Sequence, residues 1–357
     1  MNFALSEEQE MLQETVRQWV ENECPPASVR ERFDAPTESS EDLWKGMVEL
    51  GLSGLLVPEA LGGAGLELLD LAVVAEELGR GAVPGSFYAH SLATLALVLG
   101  GSEEQKSRWL PALASGEARG ALALGEAGEV WGPEDWTLEH GGGALRGEKA
   151  FGWGVDGADL LVVGTAGGGL VLVEGAAPGL STSPVDGLDR TRRLQRVVFD
   201  GTPAVALPGY VAGRLRDAAL VLLAADAFGA GFALVRMSAE YAQNREQFGQ
   251  PIAQFQAVKH QLADMALDVD PTRGLWWFAA HAFDRQPEEA PRAAALAKAH
   301  ITERVMEVAR SAVEVHGGLG FTWECDVQIW FKRALFDRTC FGTPEVHRER
   351  IAALGGW

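Results

Sequence analysis

Cysteine is scarce in this chain, and its three cysteines lie far apart. Cys24, Cys325 and Cys340 form no C-x-x-C pair and no cluster with histidine, and an odd number leaves at least one unpaired. A disulfide framework or a thiolate metal site needs paired or clustered cysteines, so neither is indicated. We therefore expect no metal site and a reducing, cytoplasmic compartment.

Basic residues are also few. The 30 lysines and arginines stand against 50 acidic residues, which gives a net charge of −20. Nucleic-acid binding requires a basic stripe, and we expect no nucleic-acid partner. The densest basic group is the set Arg190, Arg192, Arg193 and Arg196. These arginines are either the solvated edge of a strand or a contact for an anionic ligand, and the sequence leaves both interpretations open.

Uninterrupted apolar runs of membrane-spanning length are missing too. The most apolar stretch, residues 218–235, contains Asp226, Gly229 and Gly231. We interpret it as a buried bundle helix, and we expect no membrane span. The opening residues MNFALSEEQE lack a basic region followed by an apolar one, so we expect no signal peptide.

The pattern of the residues that are present changes twice along the 357-residue chain. Residues 1–117 carry apolar side chains at three- and four-residue spacing, which predicts helices. Residues 118–208 alternate apolar and turn residues, including a hairpin that turns at Gly141–Gly143, and predict a small β-barrel or sandwich. Residues 209–357 return to long helical patterns. The predicted fold class is α+β, with a helical N-terminal domain, a middle β-domain and a C-terminal helical bundle.

Local signals predict where the helices begin and end. Ser6 followed by Gln9 is typical of a capping box at the start of the first helix, and Thr37–Ser39 can cap a later one. In the C-terminal part, the apolar period predicts helices over 214–248, 253–283, 288–316 and about 325–336, with a short last one from Glu345.

Two segments of the C-terminal third carry the chemical signal. Residues 241–265 read YAQNREQFGQPIAQFQAVKHQLADM, and the spacing predicts Arg245 and Phe248 on one helical face. A guanidinium and a flat ring together suit a phosphate and a stacked heterocycle. Residues 312–325 read AVEVHGGLGFTWEC, where Gly317–Gly318 ends a helix and allows a ligand to approach the backbone closely.

In this order, the two segments resemble the acyl-CoA dehydrogenase family of FAD flavoproteins. The resemblance covers nearly the whole chain and includes LWKGMVELGLSGLLVPEALGGAG, RGEKAFGWGVDGADLLVV and LDRTRRLQRVVF. It implies the fold given above and the oxidation of an acyl-CoA thioester to its trans-2-enoyl form. In that reaction a glutamate takes the proton from Cα while the flavin accepts a hydride from Cβ, and an electron-transfer flavoprotein is the expected acceptor.

The resemblance also implies cofactor contacts. In the family, the arginine, phenylalanine and glycine positions reach across a subunit interface to the nucleotide half of the neighbour's FAD, which implies an oligomer. The position of a family glutamine is Glu314 here, and a threonine on the flavin side is kept. The implied cofactor-binding residues are Arg245, Gln247, Phe248, Glu314, Gly317, Gly318 and Thr343.

The catalytic glutamate is absent from both positions where the family carries it. Phe341 stands at the usual position and Ala219 at the alternative one. Three flavin-side positions also differ, with Gly125 in place of a threonine, Trp131 in place of a serine and Trp153 in place of a threonine. The chain's own flavin pocket is therefore expected to be degraded.

These features favour a base-lacking partner subunit of a heteromeric dehydrogenase, paired with a glutamate-bearing paralogue. One alternative is an active dehydrogenase with a relocated base, for which Asp226, Asp337 and Glu345 are candidates. The other is a flavin oxidase or monooxygenase of the same superfamily. His316 and Glu324 are interpreted as structural. The sequence leaves the acyl group open.

Overall fold

The computed structural model describes residues 4–35 and 40–356. Within them, helices come first, strands follow from Gly120 to Ala206, and helices return from Ala212. The predicted fold class is thereby confirmed. The predicted cap at Thr37–Ser39 lies outside the described residues, and the two boundaries between the three predicted domains stay a prediction.

The secondary-structure elements are numbered in chain order. The helices are α1 (Glu7–Glu23), α2 (Pro26–Asp34), α3 (Glu41–Glu49), α4 (Leu68–Arg80), α5 (Phe87–Gly100), α6 (Glu103–Ala114), α7 (Ala212–Asn244), α8 (Gln256–Val269), α9 (Arg273–Arg285), α10 (Ala290–His316), α11 (Val327–Thr339) and α12 (Pro344–Leu354). The strands are β1 (Gly120–Gly125), β2 (His140–Gly141), β3 (Ala144–Trp153), β4 (Leu160–Thr165), β5 (Gly169–Glu174), β6 (Leu180–Pro184), β7 (Leu194–Pro203), β8 (Val205–Ala206), β9 (Glu246–Gln247) and β10 (Gln250–Pro251).

The first helix begins as its sequence predicts. The Ser6 hydroxyl accepts a hydrogen bond from the backbone N–H of Gln9 at 3.2 Å, and the Gln9 side chain accepts one from the backbone N–H of Ser6 at 3.0 Å. This reciprocal pair satisfies two N–H groups that a helix start leaves without partners.

Two compact units make up the chain. The β-unit comprises Pro36–Leu71 and Pro84–Ala219, and the helical unit comprises Met1–Ala35, Ala72–Val83 and Leu220–Trp357. The first contains the sheet together with α3, α5 and α6. The second contains α1, α2 and α8 to α12.

The sheet of the β-unit has eight strands among the described residues. Its order is β6-β7-β3-β1-β4-β5-β8, with β2 paired to β3. β1 and β4 run parallel, while the other pairs are antiparallel. The predicted hairpin is present, since His140 pairs with Leu145 and Gly141 with Ala144 around a turn at Gly142–Gly143. Both turn glycines have positive φ, as a two-residue hairpin turn requires.

In the helical unit, α4 and α7 cross with their backbones nearly in contact. A Cβ atom on Gly229 would lie 1.9 Å from the carbonyl oxygen of Glu76, and one on Gly79 would lie 2.1 Å from that of Asp226. Only glycine fits such a crossing. Helix α7 is long and apolar enough to cross a membrane, but 89% of its most apolar window is buried in the structure, as in a core helix.

Two of the predicted helices have the wrong extent. The helix predicted over 214–248 ends at Asn244, and the chain continues into the β9–β10 hairpin. The helix predicted over 253–283 is interrupted by a short 3₁₀ turn at Asp270–Thr272, which contains Pro271. Proline has no N–H to donate and clashes with the preceding turn, so it interrupts the helix at this point. The apolar period continues across Pro271 and therefore does not reveal the break.

Candidate functional site

The first sequence motif forms a hairpin, not a helical face. The backbone N–H of Arg245 still bonds to the carbonyl of Tyr241 at 2.8 Å, but β9 starts at the next residue. Phe248 and Gly249 form the two-residue turn, with φ of +54° and +80°. The prediction that Arg245 and Phe248 share a helical face is therefore wrong. Instead, the hairpin turn presents Phe248 with 93% of its surface exposed.

The second motif ends its helix as predicted. Helix α10 stops at His316, and Gly317 follows with φ of +59°, a conformation that favours glycine. A Cβ atom added at Gly317 or at Gly318 would meet nothing within 4 Å. Packing inside this chain therefore gives no reason for a glycine at position 318, and the backbone there is open to an approaching group.

A ring stack brings the two motifs together. Tyr241, one turn before Arg245, stacks on His316 with ring centroids 4.3 Å apart and an interplanar angle of 26°. The Nδ1–H of His316 donates to the carbonyl of Ala312 at 2.7 Å. Burial lowers the pKa of His316, so the ring is neutral at pH 7. His316 is thus a packed side chain that joins the ends of α7 and α10, and we call residues 241–248 and 314–318 the exposed end.

The polar groups of the exposed end face outward. The Arg245 side chain is exposed and has no hydrogen bond or ion pair among residues 4–35 and 40–356. The side-chain amide of Gln247 donates to the adjacent carbonyl of Glu246, at 2.8 Å. Glu314 accepts a hydrogen bond from the amide of Gln261 at 3.1 Å, which holds its carboxylate on the surface of α10. An arginine, an exposed ring and open glycines suit the phosphates and the base of a nucleotide, whereas the Glu314 charge opposes phosphate.

The predicted catalytic position carries a strained phenylalanine. Phe341 is 4% exposed and has φ of +59°, which costs about 1–2 kcal/mol for a residue with a Cβ. The Nε2–H of His347 donates to its carbonyl at 3.0 Å. The Nζ of Lys298 donates to the carbonyls of Gly342, at 2.9 Å, and Arg338, at 3.1 Å.

The loop is therefore built to keep a costly conformation. Lys298 has no exposed surface, and burial lowers its pKa to about 8. Half-buried Thr343 follows and precedes α12 as its N-cap residue. Strained backbone persists where the surrounding contacts over-determine it, and it is concentrated at functional sites. The loop thus has a strained backbone held by buried polar contacts, and the side chain at position 341 cannot accept a proton.

The three carboxylates considered as a relocated base are either buried or paired with an arginine. Both Asp226 oxygens accept hydrogen bonds from Arg333, at 2.6 and 2.7 Å, and neither side chain is exposed. Asp337 also has no exposed surface. Glu345 pairs with Arg338 at 2.8 Å, and its hydrogen bond with the Thr343 hydroxyl lowers the pKa of the carboxyl, which makes it a weaker base. Ala219, at the alternative position, is fully buried.

The flavin-side positions of the β-unit carry aromatic rings. Trp131 stacks on Phe151, with ring centroids 5.5 Å apart and an interplanar angle of 19°. Both lie beside Gly125 at the end of β1, and we call these three residues the aromatic face. Trp153 is 4% exposed and packs edge-on against Tyr88 at 5.9 Å. None of the side chains at positions 125, 131 and 153 carries a hydroxyl group.

The arginine cluster does not form a basic patch. Arg192 is buried, with its guanidinium 4.5 Å from the ring centroid of Tyr88, and it donates to the Gly85 carbonyl at 3.4 Å. Arg196 is exposed but is paired with Glu148. Arg192 is therefore part of the core, and the charge of Arg196 is neutralised by Glu148 on the strand surface. These two positions fit the strand-edge interpretation better than an anion site.

Several residues that shape these sites have no signal in the sequence. Lys298 lies 43 positions before Phe341, and no local pattern links the two. Tyr241 and His316 are ordinary residues of helical segments. The Trp131–Phe151 stack also joins residues that are distant along the chain. A pairing of this kind follows from strand register, since Gly125 pairs with Phe151 across β1 and β3.

Comparisons with known proteins identify the family of this chain. Residues 6–117 match the family description "Acyl-CoA dehydrogenase, N-terminal domain", and residues 214–355 match "Acyl-CoA dehydrogenase, C-terminal domain". Acyl-CoA dehydrogenase IpdE2 of Mycobacterium tuberculosis is 36% identical over 330 residues, which cover 92% of this chain and 91% of that protein.

Solved structures give the same result. The Tcur3481-Tcur3483 steroid ACAD, solved as a variant, superposes with a TM-score of 0.90 at 31% identity and covers 98% of each chain. The ChsE4-ChsE5 complex from Mycobacterium tuberculosis gives a TM-score of 0.88 at 27% identity, with 100% of this chain and 99% of that chain covered. This chain belongs to the acyl-CoA dehydrogenase family.

Proposed function

We propose that this chain is the base-lacking partner subunit of a heteromeric acyl-CoA dehydrogenase. In this assembly a glutamate-bearing paralogue removes the Cα proton of an acyl-CoA thioester, and FAD bound to the paralogue supplies the redox chemistry. This chain contributes the nucleotide contacts at its exposed end. An electron-transfer flavoprotein then accepts the electrons, and the assembly works in a reducing compartment, in keeping with only three cysteines, all buried and far apart in the sequence.

The observation that carries the proposal is the loop at Phe341. A phenyl ring cannot accept a proton, yet the strained backbone and the contacts from Lys298 and His347 are retained. The relocated-base alternative is disfavoured, because Arg333 occupies both oxygens of Asp226 and Arg338 holds Glu345. A chain with the scaffold of a catalytic loop and no base fits a subunit that serves a neighbour.

The exposed end supplies the second line of support. Arg245, Phe248, Gly317 and Gly318 have the chemistry of a nucleotide site, but no contact among the described residues engages the Arg245 side chain or explains the glycine at 318. A group from another subunit would complete such a site, and subunit symmetry places it at an interface. Glu314 also belongs to the exposed end, and its carboxylate would repel the phosphates of the bound cofactor. Arg245 would therefore hold those phosphates on the side away from Glu314.

The relatives suggest which substrate to test first. One is named as a steroid ACAD and another as a complex of two different chains, ChsE4 and ChsE5. By similarity, we propose a CoA thioester that carries steroid rings, and a heteromer as the assembly. The acyl group itself is an open part of the proposal.

The test compares the chain alone with the chain co-expressed with a glutamate-bearing paralogue. FAD absorbance per chain, the mass from light scattering, and turnover with an artificial electron acceptor are measured on both samples. We expect FAD and activity only in the co-expressed complex. A flavin-saturated, active homomer would contradict the proposal.

A further inference from the structure

The aromatic face of the β-unit leaves no room for a larger residue at its centre. A Cβ atom on Gly125 would lie 2.8 Å from Cζ3 and 2.9 Å from Cη2 of Trp131, and 2.9 Å from the Cβ of Phe151. Real Cβ atoms essentially never approach other atoms this closely. The indole therefore lies directly against the backbone of Gly125, and a side chain at 125 and the ring of Trp131 exclude each other.

The loop that delivers Trp131 is held firmly in place. The backbone N–H of Glu126 donates to the carbonyl of Val130 at 2.9 Å, which closes a tight turn immediately before Trp131. The Glu126 carboxylate accepts bonds from the backbone N–H groups of Thr137 and Leu138 and forms an ion pair with buried Lys149. Both ends of the loop are thus anchored to one buried carboxylate, so the indole has a defined position.

The Trp131 ring packs against Phe151 in the way that a flat ligand would. Trp131 lies nearly parallel to Phe151, at 5.5 Å and 19°, in an offset-stacked arrangement. Trp153 is turned into the core against Tyr88 and the guanidinium of Arg192, and it has no hydroxyl group. The residues present on this face therefore do not fit a flavin ring, because the indole of Trp131 fills the space that such a ring would need and no hydroxyl stands at positions 125, 131 and 153.

We infer that Trp131 is a cofactor-excluding residue: its side chain fills the flavin face of this subunit, against a Gly125 that has no room for a side chain between this ring and the Cβ of Phe151. This inference rests on the proposed function, since it explains how a subunit that contributes to a neighbour's FAD keeps its own β-unit free of flavin.

A double-mutant cycle tests whether the pair is coupled. The variants are Gly125→Thr, Trp131→Ser and the double variant, in the full chain with and without its partner. Trp109→Ser is the matched control, because Trp109 is also half-buried in the β-unit but lies on α6. We expect Gly125→Thr to lower the melting temperature of the wild-type chain, and to lower it less in the Trp131→Ser background, where the Cβ of Phe151 still crowds position 125 but the indole does not. Equal effects of Gly125→Thr in both backgrounds would overturn the packing argument.

Flavin uptake tests the exclusion itself. FAD is titrated into each purified sample and followed by equilibrium dialysis. We expect the double variant to bind FAD at least tenfold more tightly than the wild-type chain, and Trp109→Ser to behave as wild type. An unchanged dissociation constant in the double variant would overturn the role of Trp131, whatever the stability cycle shows.

The two proposals fail in different ways. If the wild-type chain alone binds FAD at one per chain, the proposed function is contradicted and Trp131 excludes nothing. If the wild type is free of FAD and the double variant is also free of FAD, only the role of Trp131 is contradicted.

Discussion

The exposed end of the helical unit and the aromatic face of the β-unit differ in what they offer to a ligand. At the exposed end, no contact among the described residues engages the Arg245 side chain or explains the glycine at 318, and Phe248 is 93% exposed beside Phe255. At the aromatic face, Trp131 fills the space beside Gly125 with the chain's own side chain. In the proposed function, the first binds another molecule, and the second has an internal contact where a ligand contact would be. Selection for a neighbour's site and loss of the chain's own site would leave this contrast.

The largest expected effect concerns catalysis. The chain alone should show only background dehydrogenation, because general-base catalysis contributes about 10²–10⁴-fold and Phe341 cannot supply it. Phe341→Glu should not restore turnover, because the aromatic face is unchanged. The measurement is turnover with an artificial electron acceptor, with the co-expressed complex as the positive control. Robust turnover by the variant alone would show that the base was the sole deficit and would break the comparison.

The next effect tests the exposed end. Arg245→Ala should weaken FAD binding to the assembly about ten- to hundredfold, because a charge-assisted hydrogen bond to phosphate contributes roughly 1.5–3 kcal/mol. Isothermal titration with FAD on the apo-complex measures it. Arg292→Ala is the control, since Arg292 is also exposed in the helical unit and its nearest carboxylate, on Glu289, is 3.9 Å away. Equal dissociation constants for the two variants would make Arg245 a surface charge.

A pair of glycines sharpens the same comparison. Gly318→Ala should leave the melting temperature of the free chain unchanged, because no atom lies within 4 Å of the new Cβ, but should weaken FAD binding to the assembly about tenfold by crowding the ligand. Gly229→Ala should do the reverse and destabilise the free chain, because its Cβ would lie 1.9 Å from the Glu76 carbonyl. Calorimetry and FAD titration of both variants separate the effects. A destabilised Gly318→Ala chain would point to an internal role for that glycine.

The smallest expected effect has the opposite sign. Glu314→Gln should strengthen FAD binding by a few-fold, because a partly exposed charge interaction contributes about 0.2–1 kcal/mol and this carboxylate faces a phosphate. The gain should shrink as salt is raised from 0.05 to about 0.5 M, since screening weakens the repulsion. Weaker binding by the variant would mean that Glu314 accepts a hydrogen bond from the ligand.

Much of the fold follows from patterns that act locally. The Ser6–Gln9 capping box, the Gly142–Gly143 turn and the glycine end of α10 are all determined by neighbouring residues, and the structure has each of them. The α7 boundary failed because apolar spacing continues past Asn244, while the β9–β10 hairpin depends on positive φ at Phe248 and Gly249. Propensity does not predict positive φ at a phenylalanine.

The sites depended more on contacts between distant segments. The missing base at Phe341 can be read from the sequence, but the clamp from Lys298 and the strain at Phe341 cannot, because they arise from packing between α10 and the loop after α11. A buried charge needs a partner, and Arg333 supplies it for Asp226. Which arginine does so is decided by the tertiary fold.

The most direct test of the account is the number of FAD molecules per chain in two preparations, the chain purified alone and the chain purified with its glutamate-bearing paralogue. The account predicts no FAD in the first and one FAD per pair of unlike chains in the second, with Arg245→Ala in this chain lowering the occupancy of the paralogue's site. One FAD per chain in the protein purified alone, with dehydrogenase turnover, would contradict it.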